Sequence, residues 1–245
     1  MSRAGGVEAA PPTLVEGARI VDAAGARCAP LCLAGGRVVS SGSTGGREAL
    51  VVRLDGHLVF PGLVNAHEHL GLNAFPEADA GGPRPSAYEW IDALQPALAS
   101  AAFREVRRIG EEARARHGAL KNLLAGVTTV AHHDPWLSAM GASGFPVRVV
   151  HPYAWCHSLR LAGRYGPTVG EALASTPAGA RFFVHLAEGT DEEAAGELER
   201  LDSLGGLGPA TVLVHGVGLT SADVERVLAR GAGGVWCPAS NLPDL

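Results

Sequence analysis

From residue 58 onward the chain repeats one unit, a short apolar run that closes on polar residues, often histidine. The runs cover 58–65, 126–131, 147–153, 182–186, 211–214 and 234–236. Runs this short and this apolar read as strands of a parallel sheet buried on both faces. Between the later runs the period changes to helical. Thr190 with Glu193 reads as a capping box before Ala194, Leu198 and Leu201. Thr220, with Asp223 in the first turn, precedes Val224, Val227 and Leu228. A longer helix is expected over 103–124, its apolar stripe formed by Val106, Ile109, Ala113, Leu120 and Leu124. Strand–helix–strand units in series imply an α/β fold with a parallel sheet, and six in a row favour a barrel.

Ahead of these units the pattern differs. Residues 1–12 read as a loose tail, and 13–58 as short strands at 14–15, 18–21, 31–33, 37–40 and 50–54, punctuated by glycines. The expected division is a β unit over 1–58 and an α/β unit over 59–245, with 71–88 a long Gly/Pro-rich loop able to cover a site. Apolar residues make up 47% of the chain and charged residues 18%, which is a globular composition. A net charge of −5 argues against a nucleic-acid partner, and no apolar run approaches the length of a membrane span. The N-terminus has no signal-peptide core, and Cys28, Cys32, Cys156 and Cys237 lack CxxC spacing, so reduced thiols in a cytoplasmic protein are expected.

The histidines carry the chemistry. His67 and His69 follow LVFPGLVNA, His132 and His133 follow GVTTVA, His151 follows VRVV, His185 lies in FFVHLAE and His215 follows TVLV. A lone histidine is more often a hydrogen-bonded core or surface residue than a ligand. Residues two apart on a strand share a face, however, so His67 and His69 aim two imidazoles into one space, a metal-ligand arrangement. Glu188 follows His185 by three residues; it reads either as a helix N-terminal acid or as the acid–base partner that metal hydrolysis needs.

The segments PGLVNAHEHL (61–70), GVTTV (126–130), FVHLAE (183–188), LVHGVGLT (213–220) and WCPASN (236–241), in this order, resemble the amidohydrolase superfamily. The branch resembled holds cytosine deaminase, the triazine hydrolases and adenosine-homologue deaminases. RIVDAAG (19–25) and GGRVVSSG (35–42) resemble the β-sandwich that precedes the barrel there. The resemblance implies a TIM-type (β/α)8 barrel with an N-terminal partial β-sandwich. It implies hydrolysis of non-peptide C–N bonds, by deamination or cyclic-amide opening, on a nitrogen heterocycle or cyclic amide.

Matched position by position, the resemblance makes His67, His69 and His185 metal ligands. Glu188 becomes the proton shuttle to the leaving group, and His215 contacts substrate or attacking water. His132, His133 and His151, at strand ends, are expected at the substrate. Binuclear members use a carboxylated lysine, and the sole lysine, Lys121, lies in an expected helix, so one divalent ion, Zn or Fe, is expected.

The family's eighth-strand aspartate has no counterpart. Asp244 follows too closely on the seventh strand, and Asp191 lies on the wrong one. The expectation is therefore a barrel lacking its last strand, a partial copy of a longer enzyme. The alternative is a short, inactive metal-binding remnant that completes itself by homo-oligomer formation. Only three strands are read before His185 where the family has four, and residues 154–161 are the candidate for the fourth.

Overall fold

The computed structural model describes residues 10–40 and 48–241. The chain divides into two compact units, Met1–Gly62 and Leu63–Leu245. Asp244 and the glycines at 42, 45 and 46 lie outside the described residues.

Among the described residues the first unit holds seven strands: β1 (Thr13–Glu16), β2 (Arg19–Asp22), β3 (Gly25–Cys28), β4 (Leu31–Ala34), β5 (Arg37–Val39), β6 (Leu50–Arg53) and β7 (Leu58–Val59). They form two small sheets, ordered β5-β4-β1-β6 and β3-β2-β7. The five strands read from the sequence are present. β3 was not foreseen, because its four residues are all exposed and carry no alternation. The run 58–65 is not one strand. It is interrupted at Pro61, which has no N–H for a ladder, and resumes in the second unit. Val15, Ala18 and Ile20 form the small core of the first unit.

The second unit is α/β. Its strands are β8 (Leu63–Glu68), β9 (Val127–His132), β10 (Arg148–Val149), β11 (Tyr153–Ser158), β12 (Arg181–Leu186), β13 (Thr211–His215) and β14 (Gly233–Val235). They lie in two parallel sheets, ordered β10-β9-β8 and β11-β12-β13-β14. The expected strand over 147–153 is two strands, divided by residues 150–152 around a cis His151–Pro152 bond. β11 is the fourth strand before His185 and overlaps its candidate stretch at residues 154–158.

Eight helices accompany these strands among the described residues: α1 (Ala87–Ala93), α2 (Gln95–Leu98), α3 (Ala101–Arg107), α4 (Glu111–Leu124), α5 (Val169–Ser175), α6 (Glu192–Ser203), α7 (Ser221–Ala229) and α8 (Pro238–Asn241). The single helix expected over 103–124 is broken at Gly110, which stands as the N-cap of α4. The expected stripe is also on the wrong face. Ile109, Leu120 and Leu124 are exposed, while Ala115, Gly118, Ala119 and Asn122 are buried. Any side chain at Gly118 would overlap the Leu70 carbonyl, so only small residues fit this face.

The helix α6 is capped by Asp191, whose carboxylate accepts from the Ala194 amide at 2.8 Å, rather than by Thr190. The Thr220–Asp223 capping box of α7 is present. A second box, Thr168 with Glu171, starts α5 and was not read from the sequence. α6 buries Ala194, Leu198 and Leu201 against β12, whose residues Phe182 to Leu186 are all buried. Each of the two leucines contributes about 1.5–3 kcal/mol.

Candidate metal centre and active site

His67 lies near the end of β8, Glu68 is its last residue, and His69 follows directly as the N-cap of the 3-10 turn Leu70–Ala74. Glu68 accepts from the side-chain amides of Asn65 (3.0 Å), Asn73 (2.9 Å) and Asn122 (2.6 Å), which fixes the strand end against α4. His185 comes from the C-terminal end of β12.

The three imidazoles converge through Nε2. His67 to His69 is 3.2 Å, His69 to His185 is 3.3 Å, and His185 to His67 is 3.0 Å. Three nitrogens around a tetrahedral Zn²⁺ at 2.0–2.1 Å stand about 3.3 Å apart. Two of the rings have their tautomer set from behind. The Asp134 carboxylate accepts from His69 Nδ1 at 3.0 Å, and the His157 carbonyl accepts from His185 Nδ1 at 2.7 Å. Both leave Nε2 as a lone pair aimed at the shared centre, the back-side support that metal-ligating histidines use. Burial, with neighbouring histidines, depresses His67 to about 2 and holds His185 well below the usual imidazole value. The His67 and His185 rings are therefore neutral at pH 7, as ligands must be. Three convergent lone pairs without a proton between them fit a divalent cation.

Glu188 and His215 sit beside this centre. Ala187, between His185 and Glu188, has φ +52°, a conformation alanine rarely adopts. Glu197 from α6 holds that turn by accepting the Ala187 N–H at 2.6 Å, and Tyr88 donates to its other oxygen. The start of α1 clamps the far side, where Ala87 N–H donates to Glu188 O at 2.9 Å. Glu188 Oε1 is thereby placed 3.2 Å from His215 Nε2. Burial first, and the charge of Glu197 second, push Glu188 up to about 8. His215 is held at about 4 by burial, and its Nδ1–H donates to Asn241 Oδ1 at 2.9 Å. The 3.2 Å contact lets Glu188 and His215 share one proton.

A cavity of about 1540 Å³ opens over the centre. His67, His69, His185, Glu188 and His215 line it, with apolar walls from Phe75, Trp90, Ile91, Leu94, Leu98 and Phe103. The loop 71–88 contributes Leu72 and the stretch Phe75 to Ala80 to its walls.

Of the three histidines expected at substrate, none lines this cavity. His132 is buried and accepts the Leu70 N–H at 3.5 Å. His133 is buried against the metal-site rings. His151 is exposed and stacks on Trp136 at 4.0 Å. Lys121 lies in α4 and is exposed. Sequence reasoning named the segment His132–His133–Asp134 as a candidate for the pocket lining, where Asp134 lies, and missed Tyr88, Glu197 and Asn241. Asp134 was legible as the next residue after the His132–His133 pair; Tyr88 and Glu197 had no local signal, since they meet across 109 residues.

No family model matches the chain. Two curated proteins resemble it. The 8-oxoguanine deaminase of Pseudomonas aeruginosa is 38% identical over 69 residues, 25% of this chain and 15% of that protein. The 5-methylthioadenosine/S-adenosylhomocysteine deaminase of Nitratidesulfovibrio vulgaris is 28% identical over 234 residues, 79% of this chain and 52% of that protein. The chain thus spans about half the length, or less, of these relatives. Among solved structures, an adenosine deaminase from Xanthomonas campestris with bound zinc superposes with a TM-score of 0.59 at 19% identity, over 94% of this chain and 63% of that one. Fold and histidine cluster define an α/β protein with a candidate metal site. Both curated relatives are deaminases, and the likeness to the zinc-bound adenosine deaminase structure shows a shared fold.

Proposed function

We propose that this chain carries the metal centre of a hydrolase that cleaves non-peptide C–N bonds, acting as a deaminase or cyclic amidase on a nitrogen heterocycle. The two parallel sheets are read as parts of a (β/α)8-type barrel. The observation that carries the reading is the triangle of His67, His69 and His185 Nε2 atoms with edges of 3.0–3.3 Å, set beside a carboxyl raised to about 8. Those three residues would hold one Zn or Fe ion. When bound, the ion supplies a Lewis acid that makes water acidic enough to yield hydroxide near neutral pH.

The chain's own residues do the rest. Glu188, with a pKa near the working pH, takes a proton from the attacking water and returns it to the departing nitrogen. His215, its Nδ1–H tied to Asn241, keeps Nε2 directed at Glu188 and the cavity floor. The apolar walls seat a planar ring and exclude bulk water.

The test is Glu188→Gln. Zinc per chain should be unchanged, and turnover of amino-purines and amino-triazines should fall by about 10²–10⁴-fold. Full activity in the variant would remove Glu188 from its role. Stoichiometric zinc with no turnover of any heterocycle by the unmodified chain would favour a metal-binding remnant.

A further inference from the structure

Glu197 is the one acidic side chain buried among the described residues, at 2% exposure, and the reaction proposed above makes no use of it. It lies on α6, whose other buried residues are Ala194, Leu198 and Leu201. No ion pair neutralises it among the described residues; Arg200, three residues on along the helix, reaches Glu193 at 3.9 Å instead. A carboxyl taken out of water without a counter-ion is unfavourable, so an apolar residue would serve this position better if packing were its only task.

Its two partners point to another task. Oε2 accepts the Ala187 N–H at 2.6 Å, and Oε1 accepts the hydroxyl of Tyr88 from α1. Ala187 leaves the strand at φ +52°, and its carbonyl is taken by the Gly218 N–H at 2.9 Å. Without Glu197 its N–H would be buried and unpaired in a conformation that alanine avoids. The next residue is Glu188. A cavity of only about 10 Å³ lies between Glu188, Tyr88 and Glu197, bounded also by Ile91 and Ala194, so the back of Glu188 is closely packed. Neither Tyr88 nor Glu197 lines the large cavity, so a substrate contact does not account for the pair.

We propose that Glu197 and Tyr88 are positioning residues for Glu188: they hold the Ala187 turn in the conformation that brings the Glu188 carboxyl to the reacting water, and touch neither substrate nor metal. The inference rests on the hydrolase reading above and adds to it a requirement from α6 and α1. α1 also carries Trp90 and Ile91 of the cavity wall, so the helix that seats the substrate also seats the acid–base group.

The experiment is steady-state kinetics of the zinc-loaded chain on amino-purines and amino-triazines, with crystal structures of the same proteins. In Glu197→Ala, kcat should fall by about 10²-fold while KM stays within about twofold, because the lost geometry matters only in the transition state. Zinc per chain should be unchanged. The crystal structure should show the 3.2 Å contact of Glu188 with His215 broken and the His67, His69 and His185 triangle kept. Glu197→Gln keeps an oxygen for the Ala187 N–H and should restore most of the lost kcat at its own pH optimum. If Glu197→Ala does not fold, Tyr88→Phe decides, with a smaller fall in kcat and the same KM. Parental kcat in these variants, a loss confined to KM, or a loss that glutamine does not restore would overturn the positioning role and leave the hydrolase standing. An unmodified chain that turns over no heterocycle would overturn the hydrolase reading, and this inference with it.

Discussion

The two parallel sheets of the α/β unit deliver their ligands to one point by different physical means. β12 brings His185 out of a wall of buried side chains, with Phe182, Val184 and Leu186 packed against Leu198 and Leu201 of α6. β8 has no such wall. Leu63 and Val64 are 52% and 65% exposed, and the end of the strand is fixed by Glu68 and its three amides, and by α4 lying against the Leu70 backbone. Apolar burial is non-directional and accommodates small changes of shape. Close backbone approach and carboxylate–amide bonds are directional and do not. His67 and His69 are therefore expected to be the brittle part of the centre and His185 the robust part.

The largest effect should come from Gly118→Ala. A methyl there overlaps the Leu70 carbonyl, and Leu70 directly follows His69. Backbone cannot rotate out of the way as a side chain would, so urea unfolding should show a loss of about 2–3 kcal/mol. Zinc affinity should fall with it, because His69 shifts. Unchanged stability would mean that α4 does not stand this close to β8.

A smaller effect separates the sheets by pH. Glu188, beside β12, is an acid whose folded pKa of about 8 lies above its ordinary value of 4.5. Between those values the unfolded chain has released the proton and the folded chain keeps it, so this group's contribution to stability falls as pH rises. Glu188→Gln removes that loss. With Glu188 24% exposed, the metal-free variant should exceed the metal-free parent by about 1–2 kcal/mol at pH 8 and match it near pH 4.5. The histidines act in the opposite sense. His67, His157 and His215 lie at about 2, 4 and 4, so both proteins should weaken as pH falls below 6.5. A variant that gains nothing at pH 8 would show that Glu188 is not raised.

How much of this was legible in the sequence follows the same division. The ends of β8, β12 and β13, and His67, His69, His185, Glu188 and His215, were read directly, because parallel strands are written as apolar runs and their functional residues follow at fixed offsets. The face of α4 was misread. Periodicity rewards large apolar residues, and here the buried stripe is Ala115, Gly118, Ala119 and Asn122, chosen for closeness rather than hydrophobicity. The Thr190 cap was misread by one residue, since Asp191 offers a shorter route to the same amides. Glu197 and Asn241 act through contacts between distant segments, which no local pattern encodes.

The smallest predicted effect has the opposite sign to the largest and isolates the difference most cleanly. Gly196 lies inside α6, the helix that packs on β12, and a methyl added there meets no atom within 4 Å. Glycine in a helix interior is less favourable than alanine by about 0.5–1 kcal/mol, because the unfolded chain has more freedom to lose. Gly196→Ala should therefore stabilise by that amount, with zinc affinity unchanged. The same substitution at Gly118, also mid-helix, carries the same entropic gain and still comes out strongly negative. The difference between the two variants thus measures the close approach of α4 alone, with helix propensity cancelled. If both glycines respond alike, backbone proximity does not hold His67 and His69, and the two sheets position their ligands in the same way.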